Sequence, residues 1–495
     1  MKHYALLAAL WLLTFSACKK DDNQTETDQT LYATLGTDAG IYDRDGRFVL
    51  LRGVNYNVLG DYWQANPAVP ATKAYASSDM EQMASYGFNC VRLLFNWSKL
   101  EPTPGQYDMA YIQSIKMAIE DAARYDMYVL LDMHQDAWGK YIATPADTVC
   151  TLPNKGWDGA PEWATYTDGQ STCTVDGSRE SAPAVVTAWG HFWNNRNGIQ
   201  DNCIKAWQAV IAETAQYQNV VGYDLINEPG FGYVTIGEAI DQIGSYYNRL
   251  ITAIRTTERA NGNLSHIMFV EMGIGLGGLG SIVLPPAGFT SDENMIFAPH
   301  SYFESIGNLP FTIEDGFNLY DGGSASYNTH FFIGEWGFFG DPATDAAKVK
   351  RFAAAEDSYF VGSTWWQWCQ APGDPHGISW DGNNYGTTSM HLVELDASAN
   401  LTGNTNPYYL DILSRTRPNA IVGKPVSLTS NPDTGEMELN ATTTAEGVTE
   451  LWIPNRFGTP TITGTNATLK ELRTVSGGYI AEVAVSGSYS ILVGF

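Results

Sequence analysis

Basic residues are scarce in this chain: 28 Lys and Arg stand against 54 Asp and Glu in 495 residues, a net charge of -26. So acidic a molecule repels a phosphate backbone unless a local basic patch intervenes, and none is found, which argues against nucleic acid as a partner. Cysteine is sparse as well, six in all. No CxxC pair or His/Cys spacing points to a metal, and no cofactor is expected. No GxGxxG follows a first strand. The glycines of GIGLGG at 273–278 come after the fifth apolar run, in the wrong place for a dinucleotide fingerprint. Long apolar runs are missing too: Tyr4 to Ala17 is short for a membrane span and nothing later is longer. Abundance lies elsewhere. Hydrophobic residues make up 44% and aromatics 13%, with 15 Trp. Such a surplus fills large cores and lines sites that stack sugar rings or hold apolar ligands.

At the amino end, Lys2 and His3 precede the apolar stretch and FSAC closes it, the pattern of a secretory signal over residues 1–17. FSAC also resembles a bacterial lipoprotein box, which implies that Cys18 is lipidated and becomes the first residue of the mature chain. CKKDD at 18–22 resembles the export signal of Bacteroidetes surface lipoproteins. Polar residues 18–31 then read as a flexible tether. The expectation is an exported protein on the outer membrane or cell surface of a bacterium, touching the membrane through its lipid anchor and otherwise monomeric. Cys150 and Cys173 flank a loop rich in Gly, Pro and Trp and are candidates for a local disulfide, although spacing alone does not define pairing. Cys90, inside FNCVRLLF, reads as a buried core thiol.

Eight short apolar runs follow one another at 48–56, 88–95, 128–135, 220–229, 266–273, 294–303, 330–337 and 362–369. Helix-like stretches separate them at 76–86, 109–125, 201–217, 236–258 and 344–356. This alternation makes the chain α/β and predicts a (β/α)8 TIM barrel, with a doubly wound open sheet as the rival. Within 220–229, the apolar segment from Val220 to Ile226 looks like a strand buried on both faces, closed by Asn227, Glu228 and Pro229. Functional groups collect at such carboxyl ends.

At or near successive strand ends stand Asn55, Arg92, Asp132 with His134, Asn227 with Glu228, Glu271, His300 with Tyr302, Glu335, and Trp366. Any one has a structural explanation, as a buried ion pair, a satisfied core histidine or barrel filling. Together they place two carboxylates, several hydrogen-bond donors and an aromatic platform on one rim. A glycosidic bond needs that equipment: one carboxyl protonates the leaving oxygen and the other meets the oxocarbenium-like centre. Glu228 and Glu335, on the fourth and seventh strands, are the candidate catalytic pair.

From about residue 40 to 385 the chain resembles glycoside hydrolase family 5, retaining (β/α)8 enzymes of clan A. INEP at 226–229 and IGEWG at 333–337 carry the resemblance. It implies that Glu228 is the acid/base and Glu335 the nucleophile, with Arg92, His134, Asn227, His300, Tyr302 and Trp366 in supporting positions. On side-chain chemistry, Arg92 and Tyr302 are expected to bond Glu335, Asn227 the sugar 2-hydroxyl, His134 and Asp132 further hydroxyls. Trp366 is expected beneath the sugar, and His300 beside the acid/base. VRLLFNWSKLEPTPGQYD, LLDMHQDAWGKY, NGIQDNCIKAWQAV and RTRPNAIVG are similar to the endoglycoceramidase subgroup, which implies a glycosphingolipid substrate. The loop NYNVLGDYWQANP lacks a lysine expected there for sugar binding. A ceramide would need an apolar groove, for which Phe231, Trp336, Phe338 and Phe339 are candidates. A β-glycan substrate, cut by an endo-β-glucanase, and a surface glycan-binding lipoprotein without catalysis remain the alternatives.

After about residue 405 the pattern changes to short alternating runs with turn residues between them, PVSLTS, GEMELNA, TELWIP, ATLKEL, GYIAEVAV and GSYSILVGF. An all-β sandwich is expected over 405–495, following a barrel over 32–404. Trp452 is its one evident candidate for a sugar platform.

Overall fold

The eight apolar runs condense into a parallel sheet that closes on itself. The computed structural model describes residues 30–495 except 65, 152–156, 176–178, 272, 274–284, 307–310 and 378–389. The expected signal peptide, Cys18 and nearly all of the tether lie outside the described residues. The described chain begins with three antiparallel strands, β1 (Tyr32–Thr34), β2 (Gly40–Tyr42) and β3 (Phe48–Val49). One predicted strand, 48–56, is therefore two. Its first half is β3, its second is the first barrel strand β4 (Arg52–Tyr56), and the apolar pattern hid the break because both halves are buried.

The barrel continues through β5 (Cys90–Phe95), β6 (Tyr128–Met133), β7 (Val220–Asp224), β8 (Ile267–Val270), β9 (Met295–Phe297), β10 (His300–Ser301), β11 (Phe332–Trp336) and β12 (Gly362–Trp365), every pairing parallel. The eighth strand, β12, pairs with the first, β4. β9 and β10 are halves of a single strand interrupted at Ala298–Pro299: the first pairs with β8, the second with β11, and a Phe297–Phe331 bridge completes the circle. β7 stops at Asp224, two residues short of the expected strand.

Among the described residues the helices are α1 (Ser78–Ser85), α2 (Trp97–Leu100), α3 (Met109–Ala123), α4 (Pro183–Trp193), α5 (Ile199–Thr214), α6 (Ile236–Asn261), α7 (Ile313–Ala325), α8 (Pro342–Tyr359) and α9 (Pro407–Leu413). Local chemistry starts them. Asp108 accepts from the N–H groups of Ala110 and Tyr111 at the head of α3, Thr235 and Glu238 form a reciprocal capping box on α6, and Asp341 caps α8 with Pro342 next to it. α9 lies past residue 405 yet packs on the barrel, with Tyr409, Leu410, Ile412 and Leu413 in the main core.

Inside the barrel the pleat alternates. Along β5, Cys90, Arg92 and Leu94 face inward while Val91, Leu93 and Phe95 pack under the helices; along β6, Leu130 and Asp132 face inward and Val129, Leu131 and Met133 outward. The lower interior is apolar, with Leu130, Val221, Ile267, Phe269, Ile296 and Phe332 in one cluster. The Phe269 and Phe332 rings meet edge-on at 5.3 Å, worth about 0.5–1.5 kcal/mol beyond the area they bury. Leu31, Ala33, Ile41 and Val49 belong to the same cluster, so the amino-terminal strands seal the floor.

Those strands also extend the second sheet. β15 (Arg417–Ile421), β16 (Lys424–Ser430), β17 (Met437–Thr442), β18 (Gly447–Pro454), β19 (Thr461–Val475) and β20 (Gly478–Gly494) are antiparallel, and the order runs β1-β2-β3-β15-β18-β20-β17-β16 with β19 along β20; a short hairpin, β13 (Val393–Leu395) and β14 (Leu401–Thr405), lies between the barrel and α9. GYIAEVAV and GSYSILVGF are a single strand, β20. Its first half pairs with β18 and its second with β17, on either side of Gly487, where φ is 60°. The sheet folds over a core that includes Leu428, Leu439, Leu451, Val483 and Ile491, as a sandwich does. Trp452 offers no platform. It is 2% exposed and lies over Gly87, where a Cβ would stand 2.2 Å from its indole. Among the described residues no helix is long and apolar enough to cross a membrane.

Candidate active site

Arg92 organises the upper barrel. Fully buried on β5, it donates from Nη1 to Glu335 Oε1 at 2.7 Å and to Asn55 Oδ1 at 3.0 Å, from Nε to Asp224 Oδ2 at 2.8 Å, and from Nη2 to Asn227 Oδ1 at 2.9 Å. Asp132 Oδ2 lies 3.1 Å from Nη2 and Glu271 Oε1 3.5 Å. A planar guanidinium can serve so many acceptors at once; an ammonium cannot. Asp132 is 0% exposed, with Oδ2 held between Arg92 and His134 and Oδ1 buried without a hydrogen-bond partner.

Glu335, at the end of β11, also accepts from the Tyr302 hydroxyl at 2.9 Å. Burial pushes its carboxyl up, but the His300, Arg92 and His134 charges outweigh that and hold it below the usual range. Glu228 follows β7 in a tight turn, with φ at 39°. A non-glycine residue there is strained, the more so before a proline, and strain of that kind persists where surrounding contacts enforce it. The enforcing contacts are visible. The Glu228 N–H donates to Glu271 Oε2 at 2.7 Å, and Gln135 Nε2 donates to the Asn227 and Glu228 carbonyls at 2.8 and 3.2 Å.

His300 stands between the two glutamates. Its Nδ1 is 2.9 Å from Glu228 Oε1 and 3.5 Å from Glu335 Oε2, and its Nε2 is 2.5 Å from Glu271 Oε1. Burial opposes its charge, yet Glu271 and Glu335 hold the imidazole well above its ordinary value. Burial lifts Glu271 to about 8 and Asp224 to about 6, against the pull of His300 and Arg92 respectively. One carboxylate oxygen each of Glu228 and Glu335 lies, with His300, inside a group whose atoms are all within 4.8 Å of one another.

Along the rim, His134 Nδ1 is 2.8 Å from Asp132 Oδ2 and its ring stacks on Trp366 at 5.4 Å. Trp366 is itself 2% exposed. Asp136, two residues beyond His134, meets Arg179 Nη2 at 2.5 Å and His376 Nε2 at 3.1 Å, and Arg179 lies 3.7 Å over the Trp157 ring. Arg179 thus supplies a cation on a rim whose first loop lacks the expected lysine. Burial pushes Asp136 up, but Arg179, His134 and His376 draw it well below the carboxylate range. Of the residues considered for an apolar groove, Trp336 is 1% exposed and stacked on Phe352 at 3.7 Å, and Phe338 is buried, so both are core. Phe231 is half-buried; Phe339, 37% exposed, sits 5.7 Å from Tyr302.

The structure thus gathers Arg92, Asp132, His134, Asn227, Glu228, His300, Tyr302, Glu335 and Trp366 at one end of the barrel. It adds Gln135, Asp136, Asp224, Arg179 and His376. Asp224 had a readable signal, a charge inside an apolar strand; Arg179 and His376 had none, because loops bring them in. Cys150 and Cys173 form a disulfide, and Cys90, Cys203 and Cys369 are buried thiols.

Residues 43–372 match the cellulase family, glycosyl hydrolase family 5. An endoglycoceramidase of Cyanea nozakii is 24% identical over 452 residues, 82% of this chain and 80% of that one. Endoglycoceramidase I of Rhodococcus hoagii (strain 103S) is 31% identical over 191 residues, 38% of this chain and 35% of its own. The crystal structure of an endogalactoceramidase superposes with a TM-score of 0.85 at 37% identity, covering 93% of this chain and 99% of that one.

Proposed function

The chain belongs to glycosyl hydrolase family 5, and from that membership we propose that it is a retaining glycosidase that cuts glycosphingolipids between the oligosaccharide and the ceramide. The observation that carries the mechanism is the gap between Glu228 and Glu335. One oxygen of each lies within 4.8 Å of the other, which favours the close pairing of about 5–5.5 Å used for direct attack over the roughly 6.5–9.5 Å that admits a water.

Glu335 is the nucleophile: Arg92 and Tyr302 bond both of its oxygens and keep it ionised. Glu228 is the acid/base, protonating the ceramide oxygen in the first step and taking a proton from water in the second. His300, with Nδ1 2.9 Å from Glu228 Oε1 and Nε2 2.5 Å from Glu271 Oε1, is placed to stabilise Glu228 once its proton has gone to the leaving oxygen. Asn227, its carbonyl oxygen taken by Arg92 and one amide hydrogen given to the Gln135 carbonyl, offers its other amide hydrogen to the 2-hydroxyl, a contact that tightens in the transition state. His134 bonds neighbouring hydroxyls with Nε2, and Trp366 backs the sugar ring. Phe231 and Phe339 begin the apolar path for the ceramide.

The relatives named for ceramide glycosides support this substrate class, and the likeness to an endogalactoceramidase is the reason to include a galactosyl ceramide in the test. The test is to incubate the enzyme in detergent with a ganglioside, with a galactosylceramide-linked oligosaccharide and with a β-glucan, and to separate the products by thin-layer chromatography. Free ceramide and an intact oligosaccharide of retained configuration by proton NMR are expected. Glucan fragments alone would move the substrate to polysaccharide, and no product from any of them would favour a binding role.

We further propose that Cys18 carries a lipid. Leu31 is packed in the barrel floor, opposite the catalytic rim, so the described chain starts at the end of the barrel away from the cleft. A Cys18→Ser variant that stayed in the membrane fraction would refute the anchor.

A further inference from the structure

Asp136 lies where two imidazoles converge. His134 Nε2 is 3.5 Å and His376 Nε2 3.1 Å from the same oxygen, Oδ2, and the three atoms lie within 4.8 Å of one another. The far nitrogen of each ring is held by its own carboxylate: His134 Nδ1 lies 2.8 Å from Asp132 Oδ2, and His376 Nδ1 2.6 Å from Asp374 Oδ1. A carboxylate behind each imidazole is the arrangement that orients metal-binding histidines, fixing one ring nitrogen and turning the other outward as the ligand. The rings are braced as well. His376 packs against Trp157 at 4.5 Å, Trp366 at 4.9 Å and Tyr62 at 5.6 Å, and His134 against the other side of the same group through Trp366.

His134 Nε2 supplies an independent sign of a ligand. Its residue is 1% exposed and that nitrogen has no hydrogen-bond partner, although it points into the space shared with Asp136 and His376. Asp136 uses its other oxygen for Arg179, so Oδ2, which now meets His376 Nε2 at 3.1 Å, is the oxygen an ion would take in place of that hydrogen bond. Bonds of about 2.0–2.2 Å at tetrahedral to octahedral angles set neighbouring ligand atoms roughly 3.0–3.5 Å apart. The observed 3.1 and 3.5 Å fall in that range. Asp158, close by, has a buried oxygen without a hydrogen-bond partner.

We propose that His134, Asp136 and His376 bind a divalent cation of the zinc type, and that the bound ion closes the sugar end of the cleft. Two imidazoles with one carboxylate select zinc over magnesium or calcium, which take oxygen ligands. The ion is an inhibitor and not a cofactor, since the two-glutamate displacement needs no metal. His134 cannot give Nε2 both to an ion and to a sugar hydroxyl, and its Nδ1 is only 4.0 Å from Glu335 Oε1. As the ion binds, any proton on either Nε2 passes to solvent.

The test begins with protein stripped by EDTA and titrated calorimetrically with ZnCl2 and, separately, with MgCl2. One zinc site and no magnesium heat are expected. Zinc-edge X-ray absorption on the wild-type protein should show two imidazole ligands, and His376→Gln, checked for fold by circular dichroism, should weaken zinc binding at least tenfold. Zinc should raise KM for glycolipid with kcat unchanged, and EDTA should reverse it. Absence of zinc binding, equal binding of magnesium, a site without two imidazoles, or undiminished binding by His376→Gln would each overturn the site. Zinc binding with an unaltered KM would overturn the closure of the cleft. Calorimetry needs no substrate, so failure of the glycolipid reading is distinguishable from failure of this one.

Discussion

Replacing Arg92 with methionine would remove the cation beneath the catalytic rim while leaving its partners in place. Methionine fills the space of the aliphatic stem, so the cost is electrostatic rather than a cavity. Four carboxylates, of Asp132, Asp224, Glu271 and Glu335, lie between 2.7 and 3.5 Å from the guanidinium. Breaking a buried ion pair from one side costs about 3–5 kcal/mol, a large part of the 5–15 kcal/mol typical of a folded chain. At about 2 °C per kcal/mol for a large domain, Tm should drop by roughly 6–10 °C. The sign of the pH dependence follows from linkage. A carboxyl whose folded pKa lies above its unfolded value contributes stability below the unfolded pKa and loses it as pH rises through the folded one. Asp224 at about 6 and Glu271 at about 8 are already raised, and loss of Arg92 raises both further. The deficit should therefore be larger at pH 8 than at pH 5. Scanning calorimetry of wild type and variant at both values measures it. A deficit that is equal at the two pH values, or a Tm within about 2 °C of wild type at pH 8, would refute the assignment of Arg92 as the common counter-charge.

Tyr302→Phe deletes one donor to an ionised carboxylate and should lower kcat/KM about 10- to 150-fold, the equivalent of 1.5–3 kcal/mol, with Tm almost unchanged; a loss under threefold would detach the hydroxyl from the chemistry. Gly87 has φ of 80° and no room beside Trp452, so Gly87→Val should cost about 2–4 kcal/mol in urea unfolding followed by tryptophan fluorescence; a neutral result would mean that the contact between barrel and sandwich is loose. The Cys150–Cys173 bridge closes a loop 23 residues apart in sequence, worth about 3 kcal/mol. Cys150→Ser, or dithiothreitol on the wild type, should lower the urea midpoint equally, and indifference to both would show that the loop is held by its other contacts.

Glu228 and Glu335 were legible because they end apolar strands, where a carboxylate is conspicuous. Arg92 was legible for a related reason, as a charge inside FNCVRLLF that needs partners. Asp132 was seen, and period-2 alternation puts it inward; only geometry shows that Arg92 and His134 share its Oδ2. The break between β3 and β4 was invisible, since a strand crossing from one buried sheet to another keeps its apolar pattern. GYIAEVAV and GSYSILVGF read as two short strands and are one, β20, with Gly487 a bend within it. Trp336 and Phe338 were read as groove on proximity in sequence, and the packing of α8 against β11 claimed them for the core.

The pairing of β3 with β15 joins residues 48–49 to residues 420–421, and it bears on how the molecule is made. During synthesis the amino-terminal strands emerge first, yet their partner is translated only after every barrel strand. Until then Ile41, Phe48 and Val49 have no sheet to join, and the barrel floor has no lid. Contacts that span almost the whole chain close slowly, because loop entropy is lost before they form. A chaperone therefore meets a nascent chain with a sticky leading edge, and a chain ended before β15 should accumulate as aggregate rather than as a smaller active enzyme.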